Sequence, residues 1–334
     1  MKAGIGVAVT PVVISGSIAI DRIMGFDGTY RDHIVPEKLD SLSISIFLTS
    51  LSDNRGGVGA NIAYSMALMG AAPILLGSAG SDAREYIRTL ADLGVDTKNV
   101  FESSLPTASF NVITDSDENQ VGGFYPGAMF DSKTLSFEPW KDSRPLVVVS
   151  PHDPVAMRRQ VAECKRWDLR LCYDIGQQVS NLGSEEIAEG LDAANILILN
   201  DYEMEALAAK VGRSVAAIKT RVPIVVTTLG KNGSRVEGSS VDELIDVGIA
   251  APDRVQDPTG AGDAYRSGFL YGLARGWQLD ACAKLGATCG SYAIEQMGTQ
   301  NHVFTLAQVA ARYQANFHEP LPEAINTTKE SLHD

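Results

Sequence analysis

The segment Asp257-Pro-Thr-Gly-Ala-Gly-Asp263 is the part of the sequence best equipped for chemistry. Gly260 and Gly262 bracket the small Ala261, directly before a stretch at 264–273 that reads as an amphipathic helix. With no bulky side chain in the way, backbone N–H groups at a helix N-terminus can approach an anion closely. Asp263 falls in the first helical turn, where the helix dipole favours a carboxylate, so a simple capping role is one reading. A bound phosphate would repel that carboxylate, however, which makes the pairing odd for stability alone. It makes sense if Asp263 accepts a proton from a hydroxyl while Gly260, Ala261 and Gly262 hold a transferring phosphoryl group.

A second glycine-rich segment, Arg55-Gly-Gly-Val-Gly-Ala-Asn61, opens the first clear helical pattern. It lacks the final x-x-G of a dinucleotide fingerprint, and no strand is predicted immediately before it. No Gly-Lys-Ser/Thr follows, so it is not a phosphate loop of that type either. It reads either as a hinge before a helix or as a ligand loop. In the second reading Asn61 offers a hydroxyl both a donor and an acceptor.

The elements that must position these segments alternate. Strands are expected at 73–79, 146–150, 170–173, 196–199 and 224–228, the last four as continuous apolar runs of the fully buried type. Helices are expected at 61–69, 82–93, 154–166, 184–191 and 201–219, then at 262–275, 279–296 and 305–316. The apolar N-terminal stretch runs into a strand and turn at 15–23 and reads as a first strand, not a signal peptide. This alternation predicts a parallel sheet covered on both faces. Two segments break the rhythm with β-character, 25–55 (notably 44–48) and 105–127. The latter reads as a hairpin, 109–114 and 120–125, around a five-residue loop. Both are expected to pair into a small sheet beside the main one, leaving a cleft between them. The tail from Glu319 is polar and reads as frayed.

Lys and Arg number 28 against 41 Asp and Glu, a net charge of −13. That balance argues against nucleic-acid and anionic-membrane partners, which need clustered basic residues. No stretch is long and apolar enough to span a membrane. Cys164, Cys172, Cys282 and Cys289 match no zinc spacing and no disulfide framework, so they read as core thiols and the default location is cytoplasmic. The five histidines are scattered and carry no assigned chemistry.

The two glycine-rich segments, in this order, resemble the two signature regions of the PfkB (ribokinase-like) kinase family, and the texture of Asp257–Leu273 and of the later Glu295-Gln-Met-Gly-Thr-Gln300 resembles its adenosine-kinase-like bacterial branch. Gly16-Ser-Ile-Ala-Ile-Asp21 resembles the family's first strand and the acid that grips ligand hydroxyls. Asn200-Asp-Tyr-Glu203 is similar to its N-x-x-E motif, and Thr228-Leu-Gly-Lys-Asn-Gly233 to its nucleotide strand and turn. The resemblance spans nearly the whole chain as one kinase domain. It implies a three-layer α/β/α sandwich with a mainly parallel sheet and a small β-sheet lid. It also implies transfer of the ATP γ-phosphoryl group to a primary hydroxyl. Asp263 would be the base, with Gly260, Ala261 and Gly262 as the anion hole. Asp21, Gly56, Gly57 and Asn61 would hold the acceptor. Asn200, Thr228, Gly230 and Gly233 would hold ATP, with Glu203 ordering the water shell of Mg²⁺. A monovalent cation such as K⁺ would fall near Asp257, Thr259, Ala293 and Gly298.

Residues 103–131 carry Asp115, Asp117, Glu118 and Asp131 but no Lys or Arg. A kinase acting on an already phosphorylated sugar would place basic groups near the acceptor's phosphate. The other lid segment does carry Arg31, Lys38 and Arg55, but a neutral acceptor is favoured. Phe110, Phe124 and Tyr125 read either as lid packing or as stacking partners for a base. The resulting expectation is a nucleoside kinase, with adenosine as acceptor and a ribokinase- or fructokinase-like sugar kinase as the alternative. A ligand-binding relative without catalysis would be expected to lose Asp263, the glycines or the Asn200/Glu203 pair, and none is lost. A nucleotide-dependent oxidoreductase fails on the missing fingerprint. Exposed lid edges would allow a homodimer as well as a monomer.

Overall fold

The computed structural model describes residues 9–34 and 36–322. Nine strands form the main sheet, in the order β13-β12-β11-β10-β9-β8-β1-β4-β5. Seven of them run parallel: β1 (Val12–Ser15), β4 (Ile74–Gly80), β5 (Val100–Ser103), β8 (Leu146–Val149), β9 (Arg170–Tyr173), β10 (Ile196–Asn200) and β11 (Ile224–Thr228). Two short strands, β12 (Ser234–Glu237) and β13 (Ile245–Val247), extend the sheet antiparallel. They escape sequence reading because they are brief and lie outside the strand–helix alternation.

The central parallel strands are largely apolar runs because both faces are buried, and alternate residues enter opposite cores, whereas the edge strand β5 is half exposed and was not expected from the sequence. Ile14, Val148, Ile196, Ile198 and Val226 point into one core with α2 (Val58–Leu68), α3 (Arg84–Asp92), α8 (Ala261–Ala274), α9 (Leu279–Ala293) and α10 (Leu306–Phe317). Val13, Val147, Val149, Leu197 and Val225 point into the other. There they meet α4 (Pro154–Trp167), α5 (Ser184–Ala193), α6 (Asp201–Val211) and α7 (Val215–Lys219). The single helix expected at 201–219 is two, because Gly212 closes α6 with a left-handed φ of 64°. Neighbours β4 and β8 flank β1 on opposite sides, so connections diverge there. Ligands in such sheets bind outside the C-terminal strand ends at that divergence.

The second sheet has four strands in the order β3-β2-β6-β7. Its members are β2 (Ala19–Gly25), β3 (Ser50–Gly56), β6 (Ala108–Thr114) and β7 (Gln120–Tyr125). The hairpin β6–β7 has the expected register, with Phe110 opposite Phe124 and Asp115 starting the five-residue loop. Asp115 holds that loop: its Oδ1 accepts the N–H groups of Asp117 and Asn119, and its Oδ2 accepts that of Tyr30, in the short helix α1 (Tyr30–His33). The first lid segment differs from expectation. The lid begins at Ala19 rather than near 25, so Asp21 sits on a lid strand. No strand forms at 44–48, and the β-structure lies in β3 instead. That strand is mostly exposed and polar, so it carries no alternation to read.

Within the tail, Glu319 is anchored by Lys284 Nζ and by the Tyr313 hydroxyl, each 2.8 Å away. The rest of the expected frayed tail, from 323 on, lies outside the described residues, as do positions 1–8 of the expected first strand. Cys164, Cys172, Cys282 and Cys289 are buried free thiols. No helix among the described residues is long and apolar enough to cross a membrane.

Candidate active site

Strand β3 runs directly into the segment Arg55–Asn61, correcting the expectation that no strand precedes it. One residue, Gly57, separates that lid strand from α2. It takes φ 94°, and a Cβ there would lie 2.6 Å from both the Ser17 carbonyl oxygen and the Ala19 nitrogen. Only glycine fits so close to the β1–β2 crossing. Gly56 lies against the Asp21 carboxylate. Asn61, one turn into α2, is buried.

Asn61 is where the two signatures meet. Its Nδ2 donates to Asp263 Oδ2 at 2.8 Å. Its Oδ1 accepts from Gln300 Nε2 at 2.7 Å and from Thr299 Oγ1 at 3.1 Å. Thr299 Oγ1 also donates to the Arg55 carbonyl at 2.9 Å, and the Tyr86 hydroxyl donates to the Gly56 carbonyl at 2.9 Å. The amide is thus held in one orientation, with its N–H₂ toward the carboxylate. Gln300, Thr299 and Tyr86 are not signature residues, and the fold alone brings them here.

Asp263 is the third residue of α8, whose N-cap is Gly260. The Ala261 N–H, expected in the anion hole, is already bonded to the Pro258 carbonyl at 3.2 Å, and the first N–H to bond within the helix start is that of Ala264, to the Gly260 carbonyl. The amides of Gly262 and Asp263 come before it and remain available to a ligand. Burial pushes the Asp263 carboxyl upward from the ordinary carboxylate range, against the pull of Arg266 and the Asn61 hydrogen bond. Asp21 is pushed up to about 6, first by burial and then by the charge of Asp263.

Two clefts meet at this loop. One, of about 510 Å³, is lined by Asp21, Gly57, Asn61, Phe110, Phe124 and Met129 on one side and by Gln177, Gln178 and Asn181 on the other. Its lining includes no Lys or Arg, and none of the four hairpin-segment acids. Tyr125 is not part of it. Successive strand residues face opposite ways, so Phe124 turns inward and Tyr125 outward. The second cleft, of about 430 Å³, is lined by Thr228, Gly230, Gly233, Ala261 and Gly262 with Val255, Tyr265 and Ile294. Thr259 lines the first cleft and Ala261 the second, so the glycine loop is their shared wall.

Asn200 and Glu203 lie at the end of β10, beside Thr228 on β11. They form a reciprocal cap on α6: Asn200 Oδ1 accepts the Glu203 N–H at 2.7 Å, and Glu203 Oε2 accepts the Asn200 N–H at 2.9 Å. Asp257 also has a structural task. Its two oxygens accept the N–H groups of Thr259 and Gly298, each at 2.9 Å. Despite partial burial, these bonds hold its carboxyl below the usual range.

Sequence reading missed Arg266 and Asp174. The signal was present: Arg266 is the only charged residue in the run from Ala264 to Ala274, and Asp174 is the first residue past β9. The Arg266 guanidinium donates from Nη2 to Asp174 Oδ1 at 2.8 Å, pairs by charge with Oδ2 of the same carboxylate at 2.8 Å from Nε, and lies 3.7 Å from Asp263 and 3.9 Å from Glu203.

Residues 29–305 match the pattern of the pfkB family carbohydrate kinases, more than four fifths of the chain. This chain is a member of the pfkB kinase family. Among curated relatives of this pfkB-family chain, the nucleoside kinase of Methanothermobacter thermautotrophicus is 30% identical over 302 residues, 87% of this chain and 96% of that one. An ATP-dependent 6-phosphofructokinase of Thermoanaerobacterium thermosaccharolyticum is 27% identical, over 73% of this chain and 80% of its own. Among solved structures, the Burkholderia thailandensis nucleoside kinase in complex with inosine superposes with a TM-score of 0.81 at 30% identity, covering 92% of this chain and 99% of that one. The ribokinase-like α/β/α architecture with its small sheet is therefore that of the family, and the chain is a phosphotransferase with an alcohol group as acceptor.

Proposed function

We propose that this protein transfers the γ-phosphoryl group of ATP to the primary, 5′-type hydroxyl of a neutral nucleoside, adenosine first among them. The observation that carries the reading is the first cleft: acid, amide and aromatic rings but no basic side chain, joined to the glycine loop by the Asn61–Asp263 hydrogen bond. An acceptor that already bore a phosphate would leave a dianion there without a partner, which is costly. The similarity to nucleoside kinases supports the same acceptor class.

In this reading Asp21 and Asn61 grip the sugar hydroxyls, and Phe110 and Phe124 form an apolar wall for the base. ATP occupies the second cleft, its base against Val255, Tyr265 and Ile294 and its phosphates toward Gly262. Asp263 takes the proton of the acceptor hydroxyl. The acceptor oxygen forms its bond to the γ-phosphorus as the bond to the β–γ bridging oxygen breaks, and ADP leaves with that electron pair. Positioning and charge neutralisation do most of this work.

Magnesium fits the residues present. No group of three or more His, Cys, Asp or Glu among the described residues forms a metal cage. Magnesium characteristically keeps several waters and binds through substrate phosphates, and when bound it neutralises their charge. Glu203, capped on one oxygen by Asn200, is the carboxylate that would order that water shell. The residues around Asp257 fit a monovalent cation less well, because both carboxylate oxygens already close the loop. No step is assigned to such an ion.

The test is an acceptor panel with ATP: adenosine, inosine, cytidine, ribose, fructose and fructose 6-phosphate. Nucleosides should be turned over with the highest kcat/KM. Efficient turnover of ribose or fructose with none on nucleosides would overturn the proposal.

A further inference from the structure

The constellation at the glycine loop is unusually acidic for a site that must receive a polyphosphate. Asp21, Asp174, Glu203 and Asp263 approach it from β2, the end of β9, α6 and α8. Among the described residues, Arg266 is the cation that pairs with three of them: Asp174, Glu203 and Asp263 all lie within 4 Å of its guanidinium. Its orientation is fixed. Nη2 donates to Asp174 Oδ1 at 2.8 Å, and Nε lies 2.8 Å from Asp174 Oδ2 as an ion pair without a hydrogen bond, so this edge of the guanidinium faces Asp174. The remaining corner, Nη1, lies 3.7 Å from Asp263 Oδ1 and just behind Gly262, where a Cβ would sit 2.8 Å from it. In the reading above, the Gly262 amide is the one that would face the incoming phosphate. The guanidinium is therefore lodged directly behind the cradle, screened from solvent.

We propose that Arg266, clamped by Asp174, is a positioning residue for phosphoryl transfer: a fixed positive charge behind the Gly260–Gly262 cradle that offsets Asp263 and Glu203 and favours the charge of the transferred group. The proposal rests on the kinase reading above. Backbone amides alone would face a polyanion with four carboxylates close by. One buried cation, aimed through a residue with no side chain, restores the balance. Because the guanidinium is itself buried, such a charge acts at low effective dielectric and costs little reorganisation during the reaction. Arginine suits the task because its fork can satisfy Asp174 on one edge and still present a donor on another, which a lysine point charge cannot do.

A purely structural role would be to pair the buried Asp174, and the test separates the two. The double variant Asp174→Asn, Arg266→Gln removes both charges of the buried pair while leaving polar amides that can hydrogen-bond each other. Thermal melting, ADP affinity, nucleoside KM and kcat are measured on it, with the acceptor that the wild-type enzyme uses best. The expected result is near-wild-type melting, ADP affinity and nucleoside KM, with kcat down about 100-fold. Wild-type kcat in the folded double variant would overturn the proposal. If the double variant does not fold, Arg266→Lys decides. It should bind ADP normally and keep an intermediate kcat, whereas full kcat would show that the fork and its clamp do not matter. Failure of the nucleoside reading would show in the wild-type enzyme's acceptor panel, and failure of this proposal only in the variants.

Discussion

Asn61 donates a 2.8 Å hydrogen bond to Asp263 across 202 positions of sequence. The donor belongs to the helix that follows the lid, and the acceptor to the helix that follows the glycine loop. The same amide accepts from Gln300 and Thr299, so its orientation is set from the far side. The carboxylate is thereby held in place before any ligand arrives, which is the preorganisation a general base requires.

Asp263→Asn should fold and bind ATP as the wild type does, yet lose about two to four orders of magnitude in kcat. Burial already disfavours the charged carboxylate, so the neutral amide carries no penalty of desolvation. Melting temperature and nucleotide affinity are measured beside kcat. Turnover near wild type would remove Asp263 from the role of base.

Gly262→Val places a branched side chain where a single Cβ would already lie 2.8 Å from Arg266 Nη1. It should displace the guanidinium or the bound phosphate, so ATP affinity and kcat both fall. Calorimetric titration with a non-hydrolysable ATP analogue reads the first effect. Unchanged binding and turnover would contradict the cradle.

Asp21 provides a pH signature. Its carboxyl is pushed up to about 6, by burial first and the Asp263 charge second. Only the ionised form accepts a hydroxyl proton without a competing donor. The nucleoside KM should therefore be flat above that value and rise about tenfold per pH unit well below it. The sign for stability is opposite. Folding raises this pKa above its ordinary 3.8, so the Asp21 contribution to stability is largest below 3.8 and is lost as pH rises through about 6. A KM that stays level down to pH 5 would show that the Asp21 charge is not used.

Phe124→Ala should weaken nucleoside binding by about 1–3 kcal/mol, the range for a base stacked on an aromatic ring, while Tyr125→Ala should leave it unchanged. The two residues are neighbours, but only the first lines the cleft. Nucleoside KM for the two variants decides, and equal losses would argue against a base at Phe124.

These outcomes bear on what could be read before the fold was known. The central parallel strands were plain in the sequence because both faces are covered and their runs are largely apolar, but the edge strand β5, with two exposed residues in four, was not. The hairpin was plain because Asp115 and its neighbours mark a turn between two β-type runs. Strand β3 was hidden, since a mostly exposed lid strand has no hydrophobic rhythm, and the break at Gly212 passed inside one helical period. In the site, glycine spacing exposed Asp263 and Asn61. Thr299 and Gln300 lie in the Glu295–Gln300 stretch that carries part of the family resemblance, but without a role legible there, and Tyr86 belongs to no motif; all three reach Asn61 only through the tertiary fold. The neutral-acceptor argument kept its conclusion but changed its basis. Asp115 holds a loop and Asp131 accepts the Ser103 hydroxyl at 2.6 Å, so these hairpin acids do not face the cleft. What supports a neutral acceptor is the lining itself, free of Lys and Arg.

The hydrogen bond from Thr299 to the Arg55 carbonyl closes a span of 244 positions. The binding surface is therefore among the last features the chain can complete, because contacts of such separation require most of the intervening strands and helices to be in place. Acceptor and nucleotide consequently act as ligands of the native state alone, and each raises the free energy of unfolding by mass action as its concentration exceeds its dissociation constant.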